Sequence, residues 1–206
     1  MVTVIDYGVG NLGSIQNMFK RLGVECATTS DLRKIETASK ILLPGVGAFD
    51  AAMKKLDSTD LADVLIRKAK SGVPFLGICL GAQLLTKSSE EGMCNGLGLL
   101  NAECTKFEIN NQMLKVPHMG WSEVIITKNH PVLDFSTLPN ESSRFYFAHS
   151  YHFKTENKAI VAGQTEYGYY FPSILSSDNI LAVQFHPEKS HKFGMKLLEN
   201  FSKWEI

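Results

Sequence analysis

Cys79 lies between two glycines in Gly77-Ile78-Cys79-Leu80-Gly81, at the end of the apolar run Pro74 to Ile78 and directly before the helix-forming Ala82-Gln83-Leu84-Leu85. Strand, sharp turn and helix in that order describe a nucleophile elbow, in which flanking glycines permit a strained, close-packed turn. The side chain at its tip stands at the carboxyl edge of a sheet. Unpaired N–H groups at the helix start there favour negative charge on sulfur. Cys79 is therefore a candidate nucleophile. The competing reading is a buried free thiol beside turn glycines, and the motif alone does not separate the two.

A second group of reactive residues lies over a hundred positions later. Leu181 to Phe185 is a β-type run that delivers His186, followed by Pro187 and Glu188. Proline imposes an extended or turned backbone, so the Glu188 carboxylate can return beside the imidazole and orient it as a base for Cys79. The loop Pro44-Gly45-Val46-Gly47-Ala48-Phe49, again after a strand, has two glycines that let peptide N–H groups converge on one point. With the N–H of Leu80 it makes a candidate oxyanion hole, Val46 and Gly47 supplying its other side.

These groups need a scaffold. The chain has 206 residues, 44% of them apolar, enough for one α/β domain spanning residues 1–206. Its 21 basic and 21 acidic side chains balance, so nothing steers it toward nucleic acid or an anionic membrane. No apolar run is long enough to span a bilayer and the first residues lack a secretory pattern, which predicts a cytoplasmic protein. Cys26, Cys79, Cys94 and Cys104 have neither C-x-x-C nor zinc-ligand spacing, which fits reduced thiols.

Strand patterns at Val2 to Asp6, Val24 to Thr28, Lys40 to Leu43 and Pro74 to Ile78 alternate with helical ones, among them Asp60 to Lys70. That order predicts a doubly wound, mainly parallel sheet flanked by helices. From about residue 92 to 177 short β-type runs separated by turns at Asn95-Gly96, Asn110-Asn111, Lys128-Asn129 and Ser177-Asp178-Asn179 predict added antiparallel strands on one edge. Tyr146 to His152 reads as one aromatic strand, and Phe193, Leu197, Leu198 and Phe201 mark a closing core helix.

Two rival chemistries arise from the same residues. Gly8-x-Gly10-x-x-Gly13 after a strand, with Glu25 or Asp31 downstream, matches a dinucleotide-binding fingerprint. His118, His149, His152 and His186 are candidate metal ligands, but no pair has the i, i+4 helical spacing or nearby carboxylates of familiar zinc sites. No metal or cofactor is expected.

Gly77-Ile78-Cys79-Leu80-Gly81 together with His186-Pro187-Glu188 resembles the triad of the class I glutamine amidotransferases. Ile5-Asp6-Tyr7-Gly8-x-Gly10-Asn11-Leu12, Leu43 to Phe49, Pro117-His118-Met119-Gly120-Trp121, Tyr146-Phe147-x-His149-Ser150-Tyr151 and Gln184 to Ser190 resemble the histidine-biosynthesis branch of that family. Five motifs in order across residues 5–190 displace the dinucleotide reading. The resemblance implies that Cys79 attacks the glutamine side-chain amide, that His186 and Glu188 manage its protons, and that Gln83, His149, Ser150 and Tyr151 contact glutamine. It also implies a heterodimer with a (β/α)8-barrel synthase subunit, which receives the ammonia and activates the glutaminase. Asn11, His118, Trp121, Tyr146 and Lys189 match positions facing that barrel or lining the ammonia path. One departure stands out: Ser122 follows Trp121 where this branch usually carries Asn. With His152-Phe153, it resembles paralogous subunits that feed a sugar-modifying amidotransferase.

Overall fold

The computed structural model describes residues 1–109, 113–138 and 142–206. Strands β1 (Val2–Ile5), β2 (Cys26–Thr29), β3 (Ile41–Leu43) and β4 (Phe75–Ile78) pair in parallel. Parallel neighbours need crossover connections. Helices α1 (Leu12–Arg21), α2 (Leu32–Glu36), α3 (Phe49–Asp57) and α4 (Leu61–Lys70) supply them, and α5 (Leu80–Leu84) leaves the end of β4. Every residue of β1, β3 and β4 is buried, as expected of strands covered on both faces.

The later strands are β5 (Glu103–Lys106), β6 (His118–Glu123), β7 (Ile125–Ile126), β8 (Arg144–His149), β9 (Tyr151–Lys154), β10 (Val161–Glu166), β11 (Tyr170–Ser177) and β12 (Ile180–Val183), before the closing helix α6 (His191–Lys203). The main sheet runs β2-β1-β3-β4-β12-β11-β10-β7, with β12 parallel to β4 and the last three strands antiparallel on that edge. Side chains alternate across a sheet, so neighbours in sequence enter different cores. Phe75 packs with Phe49, Met53 and Leu65, while Leu76 packs with Ile15, Phe19, Leu197 and Phe201. Helices α3 and α4 thus cover one face and α1 and α6 the other.

The structure departs from the sequence reading in detail. The aromatic run from Tyr146 is two strands, not one: β8 pairs with β6 and β9 with β5, in separate two-stranded ribbons divided at Ser150. The Ser150 carbonyl accepts from the Phe107 N–H at 3.2 Å, so the chain changes partners there. Phe49, the last residue of the expected glycine loop, is instead the first residue of helix α3. The turn at Ser177 to Asn179 joins β11 to β12, with Asp178 at φ +48°. The turn expected at Asn110-Asn111 lies outside the described residues. Among those described, no helix is long and apolar enough to cross a membrane.

Candidate active site

The elbow is held shut by contacts that only glycine allows. An ideal Cβ on Gly77 would lie 2.7 Å from the Ala82 Cα, and one on Gly81 would lie 2.0 Å from the Leu43 carbonyl oxygen. Helix α5 therefore sits directly on its own strand and on the end of β3. Between the glycines Cys79 takes φ +52° and ψ −114°, a strained conformation for a residue with a side chain. Its N–H still donates to the Val183 carbonyl at 2.8 Å, so the ladder between β4 and β12 continues up to the turn.

That ladder brings the second group of residues into reach. Because β12 is parallel to β4 with Val183 opposite Ile78, both strands end at the same edge, and the chain after Val183 passes beside Cys79. His186 is fixed there through its own N–H, donated to the Tyr146 carbonyl at 2.9 Å. Its Nδ1 lies 2.8 Å from the Glu188 Oε1, both side chains being almost fully buried. Ser190 staples this turn, donating its hydroxyl to the His186 carbonyl and accepting the Tyr146 N–H at 3.0 Å. Burial works to lower the His186 pKa, but hydrogen bonds to Cys79 and Glu188 and the negative charge of both outweigh it and push it up to about 10. The imidazole thus sits between a sulfur and a carboxylate, both of which favour its protonated form.

The other thiols are poor nucleophiles. Burial pushes the Cys104 thiol up to about 12 and that of Cys26 up to about 11, and Cys94 is raised by desolvation and by Asp50.

Cys79 opens into a cavity of about 320 Å³ lined also by Val46, Gly47, Leu80, Gln83, Glu91, His149, Ser150, Tyr151, His186 and Lys189. Every candidate nucleophile, base, oxyanion and glutamine-contact position except Glu188, which lies behind His186, thus meets in one cleft. Gly47 adopts φ +108°, and Leu80 opens α5, so its N–H belongs to the first turn, which has no intrahelical acceptor. The loop before α3 is anchored at both ends. The Tyr7 hydroxyl donates to the Pro44 carbonyl at 2.7 Å, and the Phe49 N–H donates to the Glu91 Oε2 at 3.0 Å.

The five positions assigned to a partner face or ammonia path separate. Lys189 lines the cavity and sits over the Tyr146 ring, 5.5 Å from its centroid. Trp121 packs edge-on to Tyr146 and stacks on His191 outside the cavity. Asn11 caps α1, accepting the Ser14 N–H. His118 is 1% exposed, wedged between Phe147 and Tyr167, so it belongs to no outer face and reaches the cavity only through His149.

The four histidines considered as metal ligands have other partners. His118 bonds His149, His152 bonds the Tyr169 hydroxyl, and His186 bonds Glu188. Among the described residues no three His, Cys, Asp or Glu side chains are grouped to hold a metal ion. Glu91, Gln184, Ser190 and Tyr7 have no role in the sequence reading, although Tyr7, Gln184 and Ser190 lie within its motifs; Glu91 carries no signal in the sequence.

Residues 3–204 match the family model for class-I glutamine amidotransferases. The chain is 50% identical to imidazole glycerol phosphate synthase subunit HisH 2 of Methanococcus maripaludis, covering 98% of this chain and 99% of the relative. It is 45% identical to the subunit HisH 2 of Pseudomonas aeruginosa, covering 98% of each. A solved glutamine amidotransferase superposes with a TM-score of 0.73 at 19% identity over 98% of both chains, a likeness of fold.

Proposed function

The chain belongs to the class-I glutamine amidotransferases, and from that premise we propose that it is the glutaminase subunit of an imidazole glycerol phosphate synthase, serving histidine biosynthesis. The observation that carries the chemistry is the strained Cys79 sharing one cleft with an imidazole whose Nδ1 lies 2.8 Å from the buried Glu188 carboxylate.

The Cys79 sulfur attacks the side-chain amide carbon of glutamine. The oxygen turns negative and is received by the Leu80 N–H and a peptide N–H of the Val46-Gly47 turn. His186, a cation, gives its proton to the departing nitrogen, and the C–N bond breaks to release ammonia. The glutamyl thioester is hydrolysed when His186, now neutral, takes a proton from the attacking water and keeps it as the C–S bond breaks, which releases glutamate and restores the starting pair of sulfur and cationic imidazole. Glu188 stabilises the cationic imidazole on both occasions. In the same cleft the Glu91 carboxylate suits the α-ammonium of glutamine, while Gln83 and the backbone of His149, Ser150 and Tyr151 offer hydrogen-bonding groups.

Ammonia is productive only if it reaches an acceptor, and we assign that acceptor to a synthase partner of (β/α)8-barrel form, docked in the cytoplasm on the face carrying Trp121, Tyr146 and Lys189. A second reading, delivery to a sugar-modifying amidotransferase, is favoured by Ser122 together with His152-Phe153. The test is Cys79→Ala in the complex. Glutamine-dependent nitrogen transfer should vanish while transfer from added ammonium survives, and the acceptor that gains nitrogen separates the two partners. Glutamine turnover without Cys79 would refute the mechanism.

A further inference from the structure

Ser122 lies at one end of a chain of hydrogen bonds that crosses from β6 to the nucleophile. Residues four apart in extended strand have Cα atoms about 13 Å apart. Gly120, at φ +131°, interrupts that extension, and the Ser122 Oγ lies 2.8 Å from the Nε2 of His118. The His118 Nδ1 is 3.2 Å from the His149 Nε2, and the His149 Nδ1 is 2.8 Å from the Tyr151 carbonyl oxygen. The same carbonyl receives the Gln83 side-chain NH₂ at 3.0 Å, which also donates to the Gln184 Oε1 at 3.1 Å. The Gln184 NH₂ in turn points at the Cys79 sulfur, 4.0 Å away.

Only one arrangement of protons satisfies this chain. The Tyr151 carbonyl can only accept, so the His149 Nδ1 carries hydrogen. Both imidazoles are neutral: burial holds His118 down to about 4 and His149 well below its ordinary value. The rings around them are Phe107, Phe147, Tyr167 and Phe171, which offer no counter-charge. A neutral His149 with hydrogen on Nδ1 must accept at Nε2, so the His118 Nδ1 donates and the His118 Nε2 accepts. The Ser122 hydroxyl therefore has to donate.

On the glutamine site proposed above, we propose that Ser122 is a positioning residue for substrate: as the donor that satisfies the His118 Nε2 it completes the arrangement in which both histidines are Nδ1–H tautomers, and so holds the Tyr151 carbonyl and the Gln83 amide in place. Between Ser122 and Cys79 the network runs through groups proposed to bind glutamine, and its last link to the sulfur is a long contact of 4.0 Å, so its loss acts on KM more than on kcat. A donor is what the position requires. Thr and Asn supply one, Val has none, and an ionised Asp only accepts, which sets two acceptors facing each other unless His118 gains a second proton.

The experiment has two readouts on Ser122→Thr, Ser122→Asn, Ser122→Val and Ser122→Asp. Imidazole ¹⁵N NMR of the labelled full chain should show Nδ1–H for both His118 and His149 from pH 5.5 to 8 in the wild type, Thr and Asn forms. In the Asp form His118 should carry a proton on Nε2. In complex with the synthase partner, KM for glutamine should rise about tenfold for Val and Asp with kcat within about threefold, and remain within about twofold for Thr and Asn. Wild-type histidines in the Nε2–H form, or a Val variant with unchanged KM, would overturn the proposal. The NMR arm needs no turnover, so it reads the proton arrangement even in a protein that proves not to be a glutaminase, and the two failures are told apart.

Discussion

Gly81 and Leu43 are in backbone contact: the space a Cβ would need on Gly81 is occupied by the Leu43 carbonyl oxygen at 2.0 Å. This approach joins the elbow after β4 to the end of β3 and so sets the Cys79 strand against the Val46-Gly47 turn. Gly81→Ala pits backbone against backbone, and no side-chain rotation relieves it. We expect a loss of more than about 3 kcal/mol in urea unfolding together with loss of glutamine hydrolysis.

Gly47 offers the contrast. Nothing lies within 4 Å of an added Cβ there, but its φ of +108° is one that L residues rarely adopt. Gly47→Ala should cost roughly 1–3 kcal/mol of local strain, relieved by rotating the peptide. The melting temperature should then fall only slightly while kcat falls at least tenfold. Equal damage to both would mean that the turn serves the fold rather than the oxyanion.

Glu188→Gln removes the charge that helps hold the His186 proton while keeping an oxygen for its Nδ1. The kcat of the complex should drop on the order of 10²- to 10⁴-fold. The alkaline limb of the pH profile should move below the region near 10 that the paired imidazole reaches in the wild type. A profile unchanged in position would detach Glu188 from proton handling.

Glu91→Gln tests the contact proposed for the α-ammonium. The amide oxygen still accepts the Phe49 N–H, so the start of α3 is preserved while the negative charge is lost. A charged hydrogen bond of about 1.5–3 kcal/mol corresponds to a KM for glutamine raised roughly 10- to 100-fold. If glutamine lacking its α-ammonium discriminated equally well between wild type and variant, Glu91 would not be the ammonium's partner.

Stability should peak near neutrality. Burial lowers His118 and His130 to about 4, with Lys128 adding to the effect on His130. Below their ordinary value of 6.5 the unfolded chain binds protons that the folded chain refuses, so stability falls as pH drops from 6.5 toward 4. His186 is raised instead, so its contribution is complete below 6.5 and fades as pH climbs toward 10. Urea midpoints at pH 5, 7 and 9 should be highest at 7, and His118→Phe should flatten the acid side.

Much of this protein is legible in its linear order. Buried apolar runs at Ile41 to Leu43 and Phe75 to Ile78, helical spacing at Ile15, Met18 and Phe19, and glycines around Cys79 are local signals, because strand burial, helix amphipathicity and turn sterics are decided within a few residues. The sequence alone therefore named Cys79, His186 and Glu188 and predicted the parallel sheet. Which strands become neighbours is not local. Only the pairing of β12 with β4 brings residues 79 and 186 together, and only the break at Ser150 sends β8 and β9 to different partners. Glu91 enters the cleft and Ser122 reaches His118 for the same reason: a hydrogen bond depends on where atoms lie in space, and that is set by packing of segments far apart in the chain.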